Sequence, residues 1–271
     1  MKRHIVFFIL ILTLFTNWSF GQNTIEAKDK VLVMAFESAY VKARKVQIYL
    51  PKEYEENPSK HFPVLYMQDG QNLFDPQTAY KGRAWELDKS SRNAIKNNEI
   101  SPCIIVGISN VDTRFFEYFP QKATVYLTKD DYVLMEQGGL EQASDTSNYL
   151  ADNYLKFLVN ELKPFIDKNY RTKTEAASTA IGGSSSGALI SLYAICEYPQ
   201  IFGQAACIST HWSVLFDNEF ISPSESIRTY LKHNLPDPKT HRIYFDHGTL
   251  AIDRFYEVHQ IKVDQLMLEK G

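Results

Sequence analysis

Cysteine is scarce in this sequence, with three residues in 271: Cys103, Cys196 and Cys207. An odd number leaves at least one thiol unpaired even where disulfides form, and none of the three has metal-ligand spacing. All three are expected as small buried apolar residues. Basic runs are lacking too. With a formal net charge of −3, the chain carries no electrostatic footprint for nucleic acid. There is no internal repeat and no low-complexity linker. Past the first residues, no apolar stretch is long enough to cross a bilayer, which takes about 20 residues.

What remains is ordinary for a globular protein: 44% hydrophobic and 23% charged residues, in a length that suits one large α/β domain. The start differs from the rest. Lys2 and Arg3 precede an apolar run from Ile5 to Phe15 that only Thr13 interrupts. Ser19 and Gly21 then supply small residues at the two positions a signal peptidase reads. Residues 1–21 are therefore expected to be a signal peptide cut before Gln22, with a periplasmic or secreted mature chain over 22–271. The alternative, an N-terminal membrane anchor, is disfavoured by the shortness of the run. No cysteine sits near the cut, so no lipid anchor is implied.

The mature chain alternates strand-like and helix-like runs. Strands are expected over 31–36, 45–50, 62–67, 103–108, 180–182, 205–208 and 243–245. The later ones are short and continuously apolar, as strands buried on both faces tend to be. Helices are expected over 84–95, 149–168, 186–198 and 253–269. The second carries Ala151, Leu155, Leu158, Leu162 and Phe165 on one stripe, and Pro164 is expected to bend it near its end. The alternation predicts an α/β fold: a mostly parallel central sheet with helices on both faces. Residues 114–148 show no clear period and are expected to form a long lid or binding loop.

The stretch Ala180-Ile181-Gly182-Gly183-Ser184-Ser185-Ser186-Gly187 carries the chemistry. It places G-x-S-x-G between an apolar strand and a helix, the setting of a nucleophile elbow. The middle residue of such an elbow, Ser185, sits on a sharp strained turn above the sheet edge. The amide of Ser186 then points to where an oxyanion forms. Ser184 and Ser186 are expected as turn and helix-capping residues. The plain alternative is a Gly/Ser-rich turn without chemistry.

A nucleophilic serine needs a base, and the base needs a carboxylate. Asp253 follows the strand that ends near Asp246 and is the favoured acid; its alternative is capping the last helix. Asp246 is the competitor. The loop after the third strand, Gln68-Asp69-Gly70-Gln71-Asn72, offers the amides of Gly70 and Gln71 as further oxyanion donors. An Asp-Gly turn without function is an equal reading from the residues alone.

The stretches VQIYLPKEY, PVLYMQDGQNLFD, IIVGISNVDTRFFEY, FLVNELKPFIDKNYRT, GGSSSGALISLY and YFDHGTLAIDRFYE resemble the putative esterase family of α/β-hydrolases. That family includes esterase D-like, feruloyl, acetylxylan and siderophore esterases. The resemblance spans nearly the whole mature chain. It implies an α/β-hydrolase fold, Ser185 as nucleophile, Asp253 as acid, and Gly70, Gln71 and Ser186 around the oxyanion hole. Trp85, Arg114 and Glu117 fall in family blocks near the cleft, as binding residues or as packing and pairing. His211-Trp212 matches a block that lines the cleft. Gln68 stands where many relatives have His.

The family's catalytic His lies beyond the helix that closes here at Leu268-Glu269-Lys270-Gly271, on a loop after a further strand. The expectation is a C-terminally incomplete domain without that strand, because domains seldom leave a sheet edge open under a final helix. A natural chain that has lost catalysis is the alternative. Of the seven histidines, only His211 and His247 lie at strand C-terminal ends and could stand in. The implied reaction is ester hydrolysis through an acyl-enzyme on a small-molecule or glycan ester: carbohydrate, phenolic or siderophore. No metal or organic cofactor is implied. A non-catalytic ligand-binding relative and an acyltransferase on the same fold are the competing functions.

Overall fold

The computed structural model describes residues 28–213 and 222–271; the expected signal peptide lies outside them. Seven strands form one sheet: β1 Lys30–Phe36, β2 Arg44–Leu50, β3 Val64–Gln68, β4 Ile104–Ile108, β5 Thr179–Ser184, β6 Gln204–Ile208 and β7 Arg242–Asp246. Their order is β1-β2-β4-β3-β5-β6-β7. β1 and β2 are antiparallel, β2 joins β4 antiparallel, and every later pairing is parallel. The expected mostly parallel sheet is what the chain builds.

The helices among the described residues are α1 Lys52–Glu56, α2 Leu87–Lys96, α3 Arg114–Tyr118, α4 Lys129–Gln137, α5 Ala151–Lys156, α6 Lys163–Asn169, α7 Ser186–Glu197, α8 Ser222–Asn234 and α9 Glu257–Lys270. None is long and apolar enough to cross a membrane.

The two-residue strand period divides the core. Ile48, Tyr66, Ile104 and Val106 join one large cluster with α5 and α7, whereas Tyr49, Met67 and Ile105 face the other way with Leu73. Because both faces are covered, β4 is buried at all five positions and reads as an unbroken apolar run. α7 is buried from Ser186 through Cys196, which explains why its sequence is apolar all round.

Three expectations are corrected. Residues 114–148 are not a long loop: they fold into α3, a 3₁₀ segment over Gln121–Tyr126, α4 and a 3₁₀ turn at Thr146–Asn148. Their elements are short, and α4 buries only Asp131 and Met135, so no apolar stripe announces them. The long helix is disturbed before Pro164 rather than after it. A π-helical turn at Phe157–Leu162 separates α5 from α6, and Pro164 falls in the first turn of α6. A widened turn ahead of a proline relieves its clash with the preceding carbonyl and its missing N–H. Lastly, 253–269 is a 3₁₀ segment, Ala251–Phe255, followed by α9.

The parallel strands β3, β5, β6 and β7 end at Gln68, Ser184, Ile208 and Asp246, so the loops that follow gather on one sheet edge. From β3 the chain crosses to β4 on one side and β5 on the other. In open α/β sheets ligands bind at such a switch point, beyond the strand C-termini.

Candidate active site

Ser185 follows β5 directly and has φ 59° and ψ −126°. This is a conformation that L-residues avoid, at a cost of about 1–3 kcal/mol. Its amide donates to the Ile208 carbonyl (3.0 Å), which ties the turn to the end of β6. Its own carbonyl accepts from Ala188 and Leu189 (3.0 and 3.3 Å) and so starts α7. Ser185 therefore takes the N-cap position expected for its neighbours. Ser184 is the last residue of β5, and Ser186 is the first residue of the helix. The amides of Ser186 and Gly187 precede the first intrahelical donors and point out of the helix N-terminus, as orphan groups there do.

The elbow closes because Gly183 has no side chain. A Cβ there would lie 2.7 Å from the Gly187 carbonyl group and 2.9 Å from the Gln68 Cβ. Gly183→Ala is expected to push α7 off β5 and cost about 1–3 kcal/mol of stability, as overpacking does. Urea unfolding would measure it, with activity falling in step.

The loop after β3 is built on the same principle. Asp69 adopts a left-handed conformation, φ 56°, and a Cβ on Gly70 would lie 2.5 Å from the Gly107 and Ile108 backbone. Asn72 and Leu73 donate to Asp69 and Gly70 (2.9 and 3.2 Å). The amides of Gly70 and Gln71 are the orphan donors of this 3₁₀ turn. The Gln71 side chain accepts from the Asn110 amide at 3.1 Å. Gln68 is buried, and its Oε1 accepts from the Tyr154 hydroxyl.

Arg114 holds this loop. Its Nε and Nη2 donate to the two carboxylate oxygens of Asp69 at 2.8 and 2.7 Å, and Asn110 Nδ2 donates to Asp69 Oδ1 at 2.6 Å. The guanidinium is thus already paired. Trp85 is half-exposed beside the same turn, its amide donating to the Asn72 carbonyl at 2.8 Å. Glu117 lies deeper, fully buried and paired with Arg44 of β2.

On the far side, Asp253 belongs to the 3₁₀ segment and does not cap α9. Its Oδ2 accepts from the Ser209 hydroxyl (2.8 Å) and the Gly248 amide (2.9 Å). Asp246 ends β7, and its Oδ1 accepts from the Ser209 amide at 3.2 Å. Ser209, unremarked in the sequence and itself at φ 43°, therefore bridges the two carboxylates that compete as acid.

His211 is buried, and its Nδ1 lies 2.8 Å from the Tyr256 hydroxyl. Its amide donates to the Ser185 carbonyl at 3.3 Å. Burial, then the nearby Asp253 charge, holds the Tyr256 phenol well above its usual range, so it stays neutral. Tyr256 is the residue sequence reading missed. His247 is half-buried, with Nδ1 2.9 Å from the Gly248 carbonyl.

Cys196 and Cys207 are buried, Cys103 is half-buried, and all three thiols are free. Burial raises the Cys103 thiol to about 11. A cavity of about 620 Å³ lies between β7 and the end of α9, lined by residues such as Leu235, Ile243, Phe245 and Met267. None of the residues around Ser185 lines it.

The strand order and the strand–turn–helix at Ser185 define the chain as an α/β-hydrolase. Its sequence matches the family described as Putative esterase over residues 38–263, and the chain belongs to that family. It is 30% identical over 170 residues to the uncharacterized protein YbbA of Bacillus subtilis, a stretch covering 62% of this chain and 58% of YbbA. It is 24% identical over 210 residues to an endo-1,4-beta-xylanase/feruloyl esterase of Xylanibacter ruminicola, covering 75% of this chain and 22% of that protein. The chain thus spans less than two thirds of these relatives' lengths. Among solved structures, a ferulic acid esterase superposes with a TM-score of 0.60 at 20% identity, covering 90% of this chain and 87% of the other. An IroE-like serine hydrolase from Shewanella oneidensis gives 0.62 at 18%, covering 89% and 69%. The enterobactin esterase of Shigella flexneri gives 0.58 at 19%, covering 89% and 51%. At these identities the likeness is one of fold.

Proposed function

We propose that the chain is a serine esterase that cleaves carboxylic esters through an acyl-enzyme. The observation that carries this is the strained Ser185, set between two groups of orphan amides. Ser185 attacks the ester carbonyl. The amides of Ser186 and of Gly70 or Gln71 receive the oxyanion, where each well-aimed donor is worth about 10²–10³ in rate. Asp253 stabilises the positive charge that forms on the base. The alcohol leaves, and water releases the acid.

The substrate class we favour is an ester of a carbohydrate, a phenolic acid or a siderophore. The names of the structural neighbours support it. Half-exposed Trp85 beside the Gly70 turn gives such a ring a surface to rest on. The signal-peptide reading of residues 1–21 supports action in the periplasm or outside the cell.

The test is a substrate panel: p-nitrophenyl acetate, methyl ferulate, acetylated xylan and a catecholate triserine ester, with p-nitrophenyl phosphate as control. Turnover of at least one carboxylic ester and none of the phosphate is expected. Tight ester binding without hydrolysis would replace the reading with a binding relative.

A further inference from the structure

The sheet ends on β7, which has no strand on its outer side among the described residues. Its pairing with β6 fixes which of its backbone groups are left over. The Arg242 amide donates to the Gly203 carbonyl (3.0 Å), and the Asp246 carbonyl accepts from Ser209 (2.9 Å). Alternate residues of a strand turn their N–H and C=O to the same neighbour, so Arg242, Tyr244 and Asp246 bond towards β6. The N–H and C=O of Ile243 and Phe245 therefore point away from the sheet. An edge of this kind is a template for a further strand, and no proline or lysine in β7 blunts it. The cavity of about 620 Å³ lies beside it, where Ile243 and Phe245 meet Leu235, Met267 and the exposed Leu268.

The order of residues along β7 decides what fits there. Arg242-Ile243-Tyr244-Phe245-Asp246 is self-complementary about its middle. Laid antiparallel against a second copy, with a two-fold axis at Tyr244, it sets Ile243 opposite Phe245 of that copy. Both residues face outward, so each such pair exchanges two backbone hydrogen bonds. On the other face Tyr244 meets its own copy across the axis, and Arg242 stands opposite Asp246 at either end. Tyr244 is 59% exposed, and Arg242 is exposed. Within the chain both charges lack a counter-charge among the described residues. Arg242 donates to the Pro238 and His241 carbonyls (3.0 and 2.9 Å), and Asp246 accepts from the Ser209 amide and the Tyr244 hydroxyl (3.2 and 3.3 Å). We propose that this chain self-associates through β7, as a two-fold dimer whose sheet runs unbroken across Tyr244.

The pairing is isologous, so it closes after two copies and leaves neither β7 edge open. Exposed ion pairs add little affinity, but they fix register. Moving the axis by one residue puts Tyr244 opposite Arg242 or Asp246 and separates both ion pairs. β1, the other edge of the sheet, lacks this property although Val31, Leu32 and Val33 are exposed on it. Antiparallel about its middle residue, Val33, it sets Asp29 against Glu37 of the second copy, like charge against like. Ser185 takes no part in the pairing, so this inference stands apart from the esterase reading.

Sedimentation velocity of the full chain over a range of concentrations tests it, and a reversible dimer is expected. Arg242→Glu sets like charges opposite each other at both ends of the strand, and Tyr244→Lys does so on the axis. Each should raise the dissociation constant about 10-fold or more, whereas Val33→Lys on β1 should leave it unchanged. Thermal unfolding of each variant checks that the fold is kept. Cross-linking reads the register. Across the axis the two Tyr244 Cα atoms would lie about 4.5 Å apart, within reach of a disulfide, so mild oxidation of Tyr244→Cys should give a covalent dimer. Arg242→Cys would lie about 14 Å from its own copy and should not cross-link. A chain that stays monomeric at its highest soluble concentration overturns the proposal. So does a dimer that Val33→Lys disrupts and the β7 variants spare, or equal cross-linking at the two positions. A monomer whose Ile243 and Phe245 amides exchange slowly with solvent overturns it in favour of another part of the same chain on this edge.

Discussion

Ser185→Ala is expected to lower kcat/KM for an aryl ester by about 10⁴–10⁶-fold, with no loss of folded protein. The residual rate is the interesting part. The orphan amides of Ser186, Gly70 and Gln71 survive the substitution, and an oxyanion site alone still accelerates water attack about 10³–10⁴-fold. The variant should therefore remain above background. Stability should move little with alanine, which inherits the same unfavourable φ of 59°. Ser185→Gly should instead raise the unfolding free energy, by up to the roughly 1–3 kcal/mol of strain that glycine does not suffer. Paired measurements of ester hydrolysis and urea unfolding on both variants test this. Equal stabilities for the alanine and glycine forms would show that the turn is not strained.

The second large effect is on folding. Glu117→Ala is expected to destabilise the chain by about 3–5 kcal/mol, because it strands the Arg44 guanidinium without its counter-charge. Both side chains are fully buried. Glu117 accepts from Arg44 Nη1 and Nη2 at 2.9 and 2.8 Å and from the Thr113 hydroxyl at 3.0 Å. Arg44 also donates to the Lys42 carbonyl and lies 5.1 and 5.2 Å from the Tyr154 and Phe157 ring centroids. A typical domain has only about 5–15 kcal/mol to lose. Replacing both members with methionine should recover most of the loss, since an apolar pair carries no desolvation penalty. Chemical denaturation of the single and double variants distinguishes a stranded charge from simple loss of volume. The site should respond as well. Arg114, three residues away on α3, holds Asp69 and with it the turn that presents Gly70.

The strands were legible because burial on two faces leaves a short apolar run with sharp ends. Cys103 to Ile108 was expected, and Ile104–Ile108 forms. α8 is not announced by the sequence reading although Ile227, Tyr230 and Leu231 carry helical spacing and are all buried. α4 was hidden for the opposite reason: it is polar on most sides. Its start was nonetheless signalled by Thr128-x-x-Asp131, which forms a reciprocal capping box. Around the site, the elbow and the Asp-Gly turn stood out because each depends on local chain geometry. Ser209 and Tyr256 did not. Their partners lie 44 and 45 residues away, Asp253 from Ser209 and His211 from Tyr256. A hydroxyl or a phenol has no spacing rule that reveals such pairings.

Gly70 and Gly183 bring main chain directly against main chain, where elsewhere in the core side chains stand between. Peptide planes have no rotamers to exchange, so the floor of the cleft behaves as a bearing rather than a cushion. It gives Ser185 and the amides around it a fixed spacing. On the proposed esterase reading, accommodation of differently shaped esters would fall to the segments around Trp85 and Arg114. Variation there would retune substrate choice and leave the reacting geometry untouched.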